Sequence, residues 1–338
     1  MPVHSTPPMA TLETWSAKRE AANGKLWVDC GFWGGVTPGD VRELALLWRA
    51  GVLGFHCSAG IGADELRSAM VELAKLDAPL LVHFDSARLD GAPVETYAGY
   101  LAATPVEAEV AAIRDVIAAA RSTGARVHVL SVSCGEAAQL ARDAQQSGVR
   151  VSAGTNPHYL YFAAEEIADG ATAFQCAPPI RGRDQRDALW NSLSDGALGL
   201  IASGHSPVPK EKKQGGYAEA WPGVAGLQVA LAAVWTARRP SFDNIAKWMS
   251  EEPARLAGLG DRKGRIAPGY DADFVVWNPQ HKWMLMPQDL HHRHKMTPYI
   301  GSQLQGEVEA TFVRGVKVFQ GGQFSQSPAG RMIERNAR

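Results

Sequence analysis

Short apolar runs alternate along most of the chain with stretches whose apolar positions recur every three or four residues. The apolar runs are KLWVDCGF (25–32), VLGFHC (52–57), PLLVHFD (79–85), RVHVLSVS (126–133), VRVSAGTN (149–156) and LGLIASGHS (198–206). The helical stretches between them include 41–51, 63–76, 106–124 and 136–148. This pattern predicts βα units, in which helices cover both faces of a parallel sheet.

A closed barrel and an open, doubly wound sheet both fit this order of elements. Neither GxGxxG nor GxxxxGK[ST] follows a predicted strand, so the nucleotide-binding form of the open sheet has no support. A barrel is the better prediction for residues 1–262. A complete (β/α)₈ barrel takes eight strands and about 250 residues, whereas this region provides about six units. We therefore expect an incomplete TIM barrel that is short by two units.

The pattern changes near residue 264. GRIAPGYDADFVVWNP (264–279) and EVEATFVRGVKVFQGGQF (307–324) alternate apolar and polar positions and are broken by Gly and Pro turns. We predict a small β-rich segment over residues 263–338.

Composition narrows the choice of partners. The chain of 338 residues is 46% hydrophobic and 20% charged, with a formal net charge of −1 and no basic cluster that would follow phosphates. We expect neither nucleic acid nor a membrane as a partner, and a small neutral ligand fits better. No basic, apolar leader and no run of about 18 apolar residues occurs, so we expect a cytoplasmic protein. The four cysteines are far apart in sequence, which is typical of buried reduced thiols.

Candidate chemistry gathers at the carboxyl ends of the predicted strands, where barrel enzymes place their sites. Reading these ends in order gives Asp29, His56, His83 with Asp85, Ser131, Asn156 with His158, and Gly204 with His205. Imidazoles suit a zinc-type site, although a single histidine at a strand end is more often a hydrogen-bonded core residue. We interpret His128, in mid-strand, as structural. Ser206 lacks a GxSxG elbow, and the HHRHK run (291–295) is a better polar anchor than a metal cluster, because adjacent side chains diverge.

Several long segments of the chain are distinctive: VDCGFWGGVTPGD, PLLVHFD, NPHYLYFAAEEIADGATAFQCAPPIRGRDQRDALW, SGHSPVPKEKK, AWPGVAGLQ, GRIAPGYDADFVVW and HHRHKMTPY. Together they resemble the allantoinase family of cyclic amidohydrolases, in the amidohydrolase superfamily. The resemblance spans essentially the whole chain. It implies a TIM barrel with a β-sandwich built from both chain ends, and a two-metal centre, usually zinc. There a metal-activated hydroxide opens the ring of allantoin to allantoate while a carboxylate moves the proton.

The metal ligands of that family are largely replaced here. The HxH pair of the first strand has no counterpart, because MPVHSTPP resembles a family segment that follows the second strand; the first two βα units are therefore the ones we expect to be lacking. His56 stands at the position of the carboxylated lysine, Ser131 at that of a histidine, and Gly204 at that of the aspartate that acts as general base. Of the family's ligand positions, only His83 keeps its residue type, and Asp85 follows it where the family tends to have glutamate.

The resemblance also implies a substrate pocket, formed by Asn156, His158, Cys176, Pro178 and His205. Asn156 stands where cysteine is usual, and Pro222 interrupts a glycine pair. We predict a protein without family-type hydrolysis and without a required cofactor, which acts as a binding scaffold or a non-catalytic subunit for a cyclic ureide or amide. It would pair with itself or with an intact homologue, since missing strands leave open sheet edges.

Three alternatives remain. One is an active cyclic-amide hydrolase with a single zinc ion on His56, His83 and either His205 or His158. The others are an inert fragment and a half-enzyme that is completed by the missing segment.

Overall fold

The apolar runs from residue 52 onward contribute strands to one parallel sheet, in which the strands lie side by side in chain order. The computed structural model describes residues 1–37, 39, 41–57, 61–84 and 94–335. The first run gives one short strand, a second short strand follows it, and the other runs give one strand each. The strands are β1 (Cys30–Gly31), β2 (Gly34–Gly35), β3 (Phe55–Cys57), β4 (Pro79–Val82), β5 (Arg126–Val129), β6 (Val151–Thr155) and β7 (Leu200–Ile201). Strands β2 to β7 make the six-stranded sheet. Residues 25–29, predicted as strand, are not; Trp27 and Val28 are exposed there.

Helices connect these strands and pack on the outer face of the sheet. They are α1 (Leu12–Ala22), α2 (Arg42–Arg49), α3 (Ala63–Leu76), α4 (Tyr97–Ala103), α5 (Val106–Thr123), α6 (Gly135–Gln146), α7 (Pro157–Tyr161), α8 (Arg183–Ser194), α9 (Ala230–Arg238), α10 (Phe242–Ala246) and α11 (Glu252–Leu256). Helix α5 shows the predicted period, because Ile113, Val116, Ile117 and Ala120 are all buried. Gly124 ends it with a φ of +74°, a conformation that glycine adopts without steric cost.

The β-rich segment forms a single antiparallel sheet in the order β11-β10-β9-β8. Its strands are β8 (Phe274–Met284), β9 (Gln303–Val313), β10 (Val316–Gln320) and β11 (Gln323–Phe324). The expected second layer of a sandwich is not seen among the described residues. The last strand, β12 (Met332–Ile333), lies in the predicted C-terminal segment but pairs in parallel with β1 of the predicted barrel region. This pairing joins the two segments that we predicted to divide at 262/263.

The segment 30–35 is hydrogen-bonded on both sides. The open sheet edge that we expected here is therefore not found. On one side the amide of Gly34 donates to Gly54 O at 2.9 Å. On the other side Gly35 N donates to Met9 O at 2.7 Å, and Cys30 N donates to Arg331 O at 3.0 Å. Both ends of the chain therefore cover this edge. At the opposite edge, β7 packs against the helical turns at 247–256.

Alternate strand residues face two different cores, as the period of two dictates. Leu80 and Val82 belong to the main core between sheet and helices. Leu81, between them, belongs to a second cluster inside the curve of the sheet, with Trp33 and Leu53. Ala257, Leu259 and Ile333 from the later part of the chain complete that inner cluster. Apolar side chains fill much of the inner face, and the buried His128, level with Leu81 in the sheet, forms a polar pair there with Ser152 at 2.8 Å.

Candidate functional site

Ser131, Asn156 and Gly204 meet at the carboxyl ends of β5, β6 and β7. Asn156 Nδ2 donates a hydrogen bond of 2.9 Å to Ser131 Oγ. A Cβ atom built on Gly204 would lie 2.4 Å from Asn156 Nδ2 and 2.9 Å from His158 Cε1. The φ of Gly204 is +56°, which disfavours any side chain. The side chain of Asn156 therefore occupies the space into which an aspartate at position 204 would point.

His158 closes the same half of the strand ends. Its side chain is buried, and its Nδ1 atom has no hydrogen-bond partner among the described residues. Burial, with a contribution from the charge of Lys213, lowers the pKa of His158 to about 3. The ring is therefore neutral at physiological pH.

Cys176 and Pro178 lie in a loop that the neighbouring Tyr159 contacts, and Cys176 is buried. Burial raises the pKa of the Cys176 thiol to about 12, so the thiol is not a nucleophile. Tyr159 Oη donates to Pro178 O at 2.7 Å, and Lys213 Nζ donates to Gln175 O at 2.7 Å. Burial lowers the pKa of Lys213 to about 8. These bonds fix the loop from below.

A buried ion pair anchors the far end of that loop. Arg181 Nη2 lies 2.9 Å from Glu109 Oε2, and both side chains are at most 5% exposed. Glu109 also accepts hydrogen bonds from the amide and the hydroxyl of Ser133, and Arg181 donates to Thr104 O at 3.1 Å. The pair fastens the loop to α5 and to the end of β5.

The other half of the strand ends contains three histidines. The rings of His4 and His56 meet edge to face, with centroids 4.4 Å apart. His56 is 4% exposed, and its Nε2 atom has no hydrogen-bond partner among the described residues. Burial, together with the charges of His4 and His83, lowers the pKa of His56 to about 3. His83 follows β4, and its amide donates to Cys57 O at 3.1 Å; Asp85 lies outside the described residues.

His205 faces the HHRHK run rather than this histidine group. Its ring centroid lies 5.6 Å from that of His292, and its Nδ1 atom accepts a hydrogen bond of 3.2 Å from Leu227 N. Burial lowers the pKa of His205 to about 4. His291 packs on Phe319 and Phe324. The run thus joins the β-rich segment to the strand ends, as expected for an anchor.

The two-metal centre of the resembling family does not fit these residues. Asn156 fills the position of its aspartate, and Ser131 carries a hydroxyl that already accepts a hydrogen bond from Asn156. In the part of the chain that the structure describes, only Asp29, Asp271 and Asp273 bring three ligand atoms within 4.8 Å of one another. Lys263 Nζ lies 2.9 Å from both Asp29 and Asp271, so a cation of the chain already neutralises that group.

Sequence reasoning missed two contributors to the site. His4 was read only as part of a segment resemblance, because nothing local predicts that it would lie on His56. Lys213 belongs to a run of lysines that reads as a solvated surface, yet its side chain is buried. Cys57, Cys134 and Cys176 are buried, as expected, and Cys30 is half-buried.

Comparison with known proteins places the chain in the amidohydrolase family, with allantoinases among its relatives. The Amidohydrolase family is matched over residues 47–318. An allantoinase of Streptomyces avermitilis is 40% identical over 99% of this chain and 78% of its own length. An allantoinase of Saccharomyces cerevisiae is 34% identical over 98% of this chain and 77% of its own length. The L-hydantoinase of Arthrobacter aurescens has the same α/β fold, with a TM-score of 0.91 and 27% identity over 99% of this chain and 80% of that one. None of the described helices is long and apolar enough to cross a membrane.

Proposed function

The chain belongs to the amidohydrolase family, as an allantoinase-like member, and we propose that it does not carry out the metal-dependent hydrolysis of its relatives. Its role in this proposal is to bind a neutral cyclic ureide or amide, as a scaffold or as a non-catalytic subunit. The observation that carries the proposal is the side chain of Asn156 in the space beside Gly204. Without a carboxylate at position 204, the residues that the structure describes place no general base beside Asn156, and loss of a general base alone slows a reaction by about 10²–10⁴.

Three further changes act in the same direction. His56 cannot be carboxylated to bridge two metals as a lysine can, and Ser131 is a poor zinc ligand in place of histidine. The six strands of the described parallel sheet, against eight in a closed barrel, support an incomplete barrel over 1–262, and the single antiparallel sheet β8–β11 is the support for a partial sandwich over 263–338.

Hydrolysis of allantoin, with and without added zinc, tests the proposal. We expect no allantoate above the level of a mock preparation. Changing Gly204→Asp, His56→Lys and Ser131→His together should restore nothing. Turnover by the unchanged chain would refute the proposal, and turnover by the triple variant would show that the remaining family ligands are dispensable.

One observation favours a second candidate, an active hydrolase with a single metal ion. His56 Nε2 is buried without a partner, beside His4 and His83. Zinc at the strand ends would activate water there when bound, whereas the chain supplies no aligned carboxylate beside it among the described residues. Zinc that co-purifies and is lost in His56→Ala and His83→Ala would favour this candidate.

An assembly with a second copy or with an intact homologue also forms part of the proposal. Its support is the long outer strand β8, on which Val275, Val276 and Met284 are 44–56% exposed. Light scattering of the purified protein should give a mass above that of one chain. A stable monomer that remains soluble alone would contradict it.

A further inference from the structure

The turn that follows α1 contains the one Asn-Gly pair of the chain, at residues 23 and 24. Asparagine deamidates when the backbone nitrogen of the next residue attacks the side-chain carbonyl carbon. Glycine in that next position obstructs the attack least, because it has no side chain. The other asparagines of the chain are followed by Pro, Ser, Ile or Ala. Asn23 is therefore the position at which the sequence most favours this reaction.

The structure leaves this turn open to the reaction. Asn23, Gly24 and Lys25 are exposed, and a Cβ atom built on Gly24 would meet nothing within 4 Å. Asn23 has φ and ψ of −59° and 126°, and Gly24 has a φ of +67°, as in a type II turn. One hydrogen bond closes the turn, from Lys25 N to Ala22 O at 3.1 Å. The amide of Gly24, which is the attacking group, makes no hydrogen bond among the described residues.

The other asparagines that the structure describes each lack one of these conditions. Asn156 and Asn278 precede proline, whose nitrogen carries no hydrogen and so cannot become the attacking group. Asn191 lies inside α8 and Asn244 inside α10, where helical hydrogen bonds hold the backbone. These residues are controls within the same chain.

The reaction consumes water and releases ammonia. The Gly24 nitrogen bonds to Cγ of Asn23 while the Cγ–Nδ2 bond breaks, and the proton of the Gly24 amide passes through water to the departing ammonia. Water then opens the cyclic succinimide. Cleavage between the nitrogen and Cγ gives aspartate, whereas cleavage between the nitrogen and the backbone carbonyl carbon gives isoaspartate. Both products carry a new negative charge, and isoaspartate also adds a methylene group to the main chain.

The turn joins two segments whose positions are fixed by separate contacts. Before it, Trp15 of α1 is buried and meets Phe32 edge to face at 6.1 Å. After it, Leu26 O accepts a hydrogen bond of 2.8 Å from Gly330 N, beside the strand pairing with the end of the chain. A methylene group added between these contacts shifts one relative to the other. A negative charge just beyond the last turn of α1 also opposes the helix dipole.

We propose that Asn23 is a site of spontaneous deamidation, and that isoaspartate at this position loosens the pairing of residues 26–31 with the end of the chain. This inference is independent of the binding role proposed above. The reaction is faster in mildly alkaline than in mildly acidic solution, because the Gly24 amide reacts after it has lost its proton.

Peptide mapping of the full chain, incubated in mildly alkaline solution, tests the site. We expect the tryptic peptide 20–25 to gain about 1 Da with time, while the peptides that contain Asn191, Asn244 and Asn278 do not. Asn23→Gln is the matched control, since it keeps the amide but its longer side chain disfavours the ring; its peptide should not gain mass. An unchanged wild-type peptide, over a period that converts the free peptide of the same sequence, would overturn the proposal.

Hydrogen exchange of the aged protein, followed by mass spectrometry, tests the consequence. We expect residues 26–31 to exchange roughly tenfold faster in the isoaspartate form than in fresh wild type, as for the loss of one hydrogen bond. Fresh Asn23→Asp adds the charge without lengthening the main chain and should show a smaller increase. Unchanged exchange in a converted sample would overturn the loosening, and so would an equal increase in aged Asn23→Gln.

Discussion

Replacing Gly204 by aspartate tests whether the strand ends still have room for the family's carboxylate. The φ of +56° costs a residue with a side chain about 1 kcal/mol. The new Cβ would lie 2.4 Å from Asn156 Nδ2, so Asn156 must move and lose its hydrogen bond to Ser131, about 1 kcal/mol more. Overpacking of this kind adds about 1–3 kcal/mol. We expect Gly204→Asp to be destabilised by roughly 3–5 kcal/mol in total.

Gly321→Asp separates backbone strain from the collision. Gly321 has a φ of +54°, and a Cβ there meets nothing within 4 Å, so this variant should lose only about 1 kcal/mol. Urea unfolding of both variants, followed by circular dichroism, measures the difference. In the Asn156→Ala background, the part of the extra loss that comes from Asn156 should disappear, while the collision with His158 Cε1 at 2.9 Å remains. Equal stability of Gly204→Asp and Gly321→Asp would refute the claim that Asn156 blocks this position.

Two further predictions concern ion pairs that hold the site and the chain ends. Glu109→Gln leaves the Arg181 guanidinium buried without its carboxylate, and should cost about 3–5 kcal/mol in urea unfolding; a loss below 1 kcal/mol would show that the pair is solvated. Burial alone would raise the pKa of Asp29, but hydrogen bonds from Arg314 and Lys263 outweigh it and hold that pKa below its usual value. Asp29 therefore stabilises the fold above its unfolded pKa of about 3.9, and this contribution is lost as the pH falls through the lower folded value. Asp29→Asn should flatten the loss of stability below about pH 4, and an unchanged slope of urea midpoint against pH would contradict this.

The order of strands and helices could be predicted from the chain because it rests on local patterns. The buried faces of α5 and of β4 follow directly from the spacing of their apolar residues. Of the run 25–32, which we predicted to be a strand, only Cys30–Gly31 forms one. Leu26, Trp27 and Val28 are apolar, but pairing is supplied by Met332–Ile333 and begins only at Cys30. A periodic pattern reports burial, whereas hydrogen bonds to a distant segment decide where a strand begins.

The candidate site was predictable in its location and not in its contacts. The carboxyl ends of the parallel strands carry His56, His83, Asn156 and Gly204 on the same side of the sheet, as the barrel pattern indicated. That Asn156 would fill the space beside Gly204 depends on a side-chain direction, and the position of His4 depends on the path of a segment without regular structure. Neither leaves a periodic signal in the sequence.

The central claim is that this chain holds no family-type catalytic metal centre, and the metal content of the gently purified protein tests it most directly. Inductively coupled plasma mass spectrometry should find no zinc above a matched blank, and the same preparation should leave allantoin unhydrolysed. One or more zinc ions per chain, lost together with allantoate formation in His83→Ala, would contradict the account.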